Sequence, residues 1–251
     1  MRTLGVDLAA ATKKTAAAIV EWTDGAARLV HLSLNVSDDA IVELFGSTAM
    51  TGIDCPVGWP DALLPFIAGH LNFEAKSVLE HDGIEGRRLL AYRDTDRFVT
   101  RETGLIPLSV SADRLAHPAM RCAVIQAKIA RTHGVQARDG SGQLAEVYPA
   151  ASLKLWGMSA RGYKGNGTTE ATQRASILER LTRSAPWLDL GGYQLDLAAS
   201  DDMFDSLVAA LTARAVKVGT TLRPDNDHAA RAASEGWIHL PNGRLEDLAR
   251  G

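Results

Sequence analysis

Five acidic residues stand where an acid needs a reason. Asp7, Asp54 and Glu146 each fall at the end of an apolar run, in "TLGVD", "AMTGIDCPVGWP" and "QLAEVYPA", and Asp202 and Asp205 lie early in "SDDMFDSLVAAL". Carboxylates brought together repel one another, and each holds its proton more tightly unless a cation is shared between them. Hard oxygen donors, with no Cys or His at ligand spacing, suit Mg²⁺ or Mn²⁺ rather than zinc. Two such ions about 4 Å apart can activate a water and stabilise the leaving oxygen of a phosphodiester. The pattern therefore points to metal-assisted phosphodiester hydrolysis, with Asp7, Asp54, Asp202 and Asp205 as metal ligands and Glu146 as a further catalytic carboxylate. Each acid also has a plainer reading. A strand-ending Asp forms turns or caps the next helix, Glu146 can partner an arginine, and Asp201 and Asp202 complement a helix dipole.

For these acids to meet, the elements carrying them must end at one edge. "TLGVD", "TAAAIVEW" and "AARLVHLSL" read as strands, the last two joined by a turn at Asp24-Gly25. "SDDAIVELFG" reads as a helix capped by Ser37 and stopped by Gly46. Strands in "AMTGIDCPVGWP" (49–60) and "QLAEVYPA" (143–150) follow, separated by helical and loop pieces, and two helices close the chain at 168–183 and 200–219. The order predicts an α/β fold. Its mixed five-stranded sheet has three antiparallel strands, then parallel strands reached by helical crossovers, and helices on both faces. We expect one domain over residues 1–251 with a helical and loop insertion at about 61–135. Parallel strands ending together put ligands at their carboxyl ends. In the last helix Phe204, Leu207, Val208, Leu211 and Ala215 form an apolar stripe, with Asp202 and Asp205 on its flank at i, i+3.

A net charge of −3 gives no global field for nucleic acid, so such a partner requires a local basic patch. The run from Arg87 to Arg101 supplies one, with Tyr92 and Phe98 interleaved; its plainer reading is a solvated face paired to Asp94, Asp96 and Glu102. "GYKGNG" reads as a flexible loop from which Lys164 reaches a phosphate or a leaving group. Its spacing is not that of a phosphate-cradling Walker loop. No apolar run approaches a membrane span, and two cysteines without paired spacing favour a reducing, cytoplasmic setting. Cys55 reads as a small core residue rather than a nucleophile.

The segments "GVDLA", "GIDCPVGWP", "YRDTDRFVTRETG", "EVYPAASLKLWG", "GYKG", "SDDMFDSLVAALTAR" and "EGWIHLP" together resemble the DUF429 family, regarded as predicted nucleases of the ribonuclease H-like fold. That resemblance spans almost the whole chain. It implies a ribonuclease H-like sheet and a nucleic-acid substrate, with Arg93 and Arg97 of the arginine motif as substrate contacts. "DMFDSLVAAL" also resembles the last helix of bacterial Holliday-junction resolvases, which implies Asp202 and Asp205 as ligands beside Asp7 and Asp54; Glu146 rests on the family's own "EVYP". The resolvases are more basic than this chain. Two other classes stay open: an ATP-dependent phosphotransferase related to actin and sugar kinases, and a non-catalytic binding protein of the same fold.

Overall fold

A computed structural model describes residues 1–159 and 161–250. In chain order it runs through strands β1 (Arg2–Asp7), β2 (Ala16–Thr23) and β3 (Ala26–Leu34), helix α1 (Asp38–Gly46) and strand β4 (Met50–Asp54). Helices α2 (Leu63–Leu71), α3 (Ala75–Leu79), α4 (Gly83–Ala91), α5 (Asp94–Thr103) and α6 (Ala116–His133) then lead to β5 (Leu144–Val147). The remainder comprises α7 (Pro149–Leu155), α8 (Thr168–Ser184), β6 (Leu188–Asp189), α9 (Gln194–Ala199), α10 (Asp201–Lys217), β7 (Thr221–Leu222), α11 (Ala229–Glu235) and β8 (Ile238–Pro241).

The strands form one mixed eight-stranded sheet in the order β6-β3-β2-β1-β4-β5-β8-β7. β2 runs antiparallel to β1 and β3, while β4, β5 and β8 run parallel to β1 in succession. The expected strands are all present, but the sheet is wider than the five anticipated. β6 and β7 are two-residue pairings, too short to leave a period in the sequence, and β8 is a four-residue run ending in proline. No helix among the described residues is long and apolar enough to cross a membrane.

Alternation along the strands sorts side chains between two layers. Leu4, Val6, Ile19 and Ile53 meet Ile41, Phe45, Ile125 and Ile129 of α1 and α6 on one face. On the other face Ala18, Val20 and Leu29 meet α8 and α10. Thr3, Gly5 and Asp7 alternate with Leu4 and Val6 and so turn towards α10.

α10 departs from the expected amphipathic helix. Every residue from Phe204 to Val216 is buried, so the helix is enclosed on all sides rather than laid on the sheet by one stripe. Its approach is unusually close. A Cβ at Gly5 would stand 2.0 Å from the Ser206 carbonyl oxygen and 2.2 Å from the Ala210 nitrogen, and one at Gly52 would stand 2.5 Å from the Ala209 oxygen. Only glycine in both strands, facing serine and alanine in the helix, lets the backbones meet at this spacing. The Thr3 hydroxyl donates to the Ala210 carbonyl at 2.9 Å and fixes the axial position.

Candidate active site

β1 and β4 pair in parallel register with Asp7 directly opposite Asp54. Both are the last residues of their strands, and both alternate onto the face that α10 covers. The close helix approach at Gly5 and Gly52 then brings Asp205 down onto the pair. One carboxylate oxygen from each of Asp7, Asp54 and Asp205 lies within 4.8 Å of the others. α10 begins with Ser200, whose hydroxyl accepts from the Met203 amide at 3.2 Å, so Asp205 sits in the second turn, where no cap or dipole accounts for it.

The electrostatics are those of an under-neutralised cluster. Burial, then the charges of Asp205 and Asp54, hold the Asp7 carboxyl well above the ordinary range. Burial pushes Asp54 up to about 7, against the pull of Lys164 and with Asp205 and Glu146 adding to the rise. Asp205 is raised by burial as well, although Lys164 and Tyr163 counter the rise. The Tyr163 hydroxyl donates to Asp205 Oδ1 at 2.9 Å, and the Lys164 ammonium pairs with Asp205 Oδ2. Burial alone would depress Lys164, but Asp205, Tyr163, Asp54 and Asp7 outweigh it and stabilise its ammonium form. One ammonium thus stands against three carboxylates.

The "GYKG" loop is not the flexible segment its glycines suggested. Arg174, fully buried on α8, donates to the Tyr163 and Gly165 carbonyls and, on its other side, to Ala198 and Ala199 just before α10. The Gly165 amide donates to Asp201 at 2.8 Å. Arg174 therefore fixes both the loop carrying Lys164 and the approach to the helix carrying Asp205, while the Lys164 side chain itself is half exposed.

Two of the other predicted acids are placed apart. Asp202, one of the four expected metal ligands, stays outside the 4.8 Å set, and its carboxylate faces Lys14 at 3.7 Å. The i, i+3 offset rotates it towards the helix flank, where it is partly exposed. Glu146 lies in register with Ile53, not with Asp54, so it projects to the opposite side of the sheet. There Arg93 takes both of its oxygens at 2.7 Å, and the Val57 amide donates to it at 3.1 Å. The arginine-partner reading of Glu146 is the one the geometry follows.

Arg93, expected to reach a phosphate, is likewise committed. Its donors go to Asp96, Glu146 and the Glu235 carbonyl, which uses the full set of five N–H groups that a guanidinium has. It is 1 % exposed. Arg97 is partly exposed, lies 3.7 Å from Asp94, and opens onto a neighbouring groove rather than the acid cluster.

Asp7 and Asp54 line a cleft of about 460 Å³ together with Lys164, Tyr148, Glu146 and Arg93, while Asp205, fully buried, lies behind them. Arg114 also lines it, exposed at its rim. Sequence reasoning missed Tyr163, Arg174 and Arg114. Tyr163 and Lys164 are adjacent in the "GYKG" motif, which was the available signal for the tyrosine; Arg174 and Arg114 sit in unremarkable polar stretches.

An α/β protein with a mixed sheet, carrying a carboxylate cluster at the ends of its central parallel strands, is the class that these observations define. The chain belongs to the DUF429 family, described as proteins of unknown function, whose model matches residues 5–229. No curated protein and no solved structure matches it.

Proposed function

We propose that the chain is a divalent-cation-dependent nuclease that hydrolyses phosphodiester bonds at the cleft over Asp7, Asp54 and Asp205. The observation that carries this reading is the convergence of those three carboxylates, from two strands and a helix, within 4.8 Å. The central strand order β3-β2-β1-β4-β5, with β2 alone reversed, supports reading the sheet as ribonuclease H-like with short strands added at its edges.

The donor set fits Mg²⁺ or Mn²⁺. It offers hard oxygens only, with Asp205 fully buried and Asp7 and Asp54 partly open to the cleft, and its negative charge already draws in an ammonium group. A divalent ion held by Asp7, Asp54 and Asp205 would supply charge for the phosphate oxygens and lower the pKa of a water. The chain's own residues do the rest. Tyr163 fixes the orientation of Asp205 through its hydroxyl. Lys164 leaves Asp205 when the carboxylates are otherwise neutralised, and its half-exposed side chain swings to a phosphate oxygen while Arg174 keeps the loop backbone still. Arg114 at the rim adds a second phosphate contact. Glu146 supports the cleft wall through Arg93 and takes no part in the chemistry.

The test is hydrolysis of labelled oligonucleotides with Mn²⁺ present or chelated. Wild type should cleave only with the ion. Asp7→Asn should lose at least the ~100-fold that removal of a partner outside a ligand shell can cost. Undiminished ion-dependent cleavage by Asp7→Asn would overturn the assignment. Absence of both cleavage and Mn²⁺ binding, with oligonucleotide binding retained, would select the non-catalytic binding protein instead.

A further inference from the structure

Beside the acid cleft lies a second cavity, of about 600 Å³, between α4, α5 and α11. Its size is that of a site for a single small ligand or nucleotide. Asp96 contributes to both cavities, and consecutive residues divide them: Ile106 lines the groove, while Pro107 and Leu108 line the cleft. The two spaces are therefore neighbours across one thin ridge of chain.

The groove combines cations with an apolar surface. Leu89 is 46 % exposed and Ile106 69 % exposed, and Tyr92 joins them in the lining. Arg88, Arg97 and Arg231 supply the charge. Asp94, almost buried at the base of α5, lies 3.7 Å from Arg97 and 3.3 Å from Arg231, and it also holds His228. One carboxylate thus orients two guanidinium groups and cannot neutralise both. Arg88 pairs with Glu85 at the surface, where such a pair is weak and readily exchanged. Asp96, the remaining acid of the lining, is already bound by Arg93.

We infer that this groove is the subsite for an unpaired nucleotide flanking the cleaved phosphate, its base lying against Tyr92, Leu89 and Ile106 and its phosphate between Arg97 and Arg231. This inference rests on the nuclease reading and narrows its substrate class to single-stranded nucleic acid. An aromatic and aliphatic wall accepts the face of any base. A base still paired in a duplex has no free face to offer, whereas an unstacked one fills a cavity of this size. Arginine pairs fixed by a shared acid meet phosphate oxygens with their geometry already set.

The experiment is fluorescence anisotropy in EDTA, so that nothing is cleaved, with fluorescein-labelled oligo-dT, oligo-U and a blunt duplex of equal length. Wild type should bind at least one single strand more tightly than the duplex, and the two homopolymers separate a DNA from an RNA preference. Arg97→Ala/Arg231→Ala should weaken single-strand binding about tenfold and flatten its salt dependence by about one to two in slope. Ile106→Glu, at an exposed position with no partner to lose, should produce a comparable loss with unchanged circular dichroism, and it decides the matter if the double variant does not fold. Binding by folded Ile106→Glu at wild-type strength, or duplex bound as tightly as single strand, would overturn the inference. Asp7→Asn separates the two claims. Lost cleavage by this variant, with single strand still preferred over duplex, upholds both; retained cleavage with that preference intact defeats the carboxylate assignment alone.

Discussion

Two acidic clusters lie against one cleft and are satisfied in different ways. Asp96 and Glu146 share Arg93, whose planar fork gives bonds of 2.7–3.2 Å to both, and a backbone amide completes the set. Asp7, Asp54 and Asp205 have a single, half-exposed lysine. The first group is closed: every charge has a rigid partner supplied from within the fold. The second is open, since three carboxyl groups share one cation among the described residues, and that cation is on a side chain able to leave. Burial of a carboxylate alone does not mark a functional site. The nuclease proposal rests instead on carboxyl groups that outnumber their counter-charges on a fixed scaffold.

This contrast can be broken most severely through Arg93. Arg93→Ala leaves Asp96 and Glu146 buried without a partner, and loss of one member of such a set costs about 3–5 kcal/mol. Urea unfolding should show a loss of that size, against little or none for Asp54→Asn. Equal effects would erase the distinction between closed and open clusters.

The next effect concerns pH. Burial sets the Asp54 carboxyl at about 7, far above its ordinary value of 3.8, so the folded chain binds this proton more tightly than the unfolded chain does. The contribution to stability is therefore present in full below the unfolded value and is lost as pH rises through about 7. With divalent ions chelated, melting temperature should fall across that window, and Asp54→Asn should flatten the fall. Addition of Mn²⁺ should reverse it at the alkaline end, where the carboxylates are free to bind. A wild-type melting temperature insensitive to pH over this range would show that the cluster is not strained.

The smallest effect belongs to Asp202. Because it faces Lys14 outside the carboxylate set, Asp202→Asn should change stability by less than about 0.5 kcal/mol, as for ordinary surface positions, and should leave Mn²⁺ affinity within a few-fold of wild type. Calorimetric titration checks this directly. A loss of binding equal to that in Asp7→Asn would return Asp202 to the ligand set.

The sequence made the strands β1 to β5, the crossover helices and the positions of Asp7 and Asp54 readable, because a charge ending an apolar run interrupts a strong period. It did not reveal which way Glu146 points. That depends on a one-residue difference in register between β4 and β5, and such a shift exchanges the two faces of a strand. Nor did it separate Asp202 from Asp205, since both lie on one flank of a helix drawn as an ideal wheel. Their separation follows from the close packing of α10 at Gly5 and Gly52, contacts between residues about 160 to 200 positions apart in the chain. Arg93 looked like a phosphate contact because Glu146 and the Glu235 carbonyl, which complete its bonding beside the nearby Asp96, are distant in sequence.

The central claim is that the open cluster is a cation site. Crystals soaked in Mn²⁺ and measured near the manganese absorption edge test it most directly. Anomalous density among the Asp7, Asp54 and Asp205 oxygens, with the Lys164 ammonium moved off Asp205, is the expected result. Density absent there at millimolar Mn²⁺, with Lys164 still paired to Asp205, would contradict it.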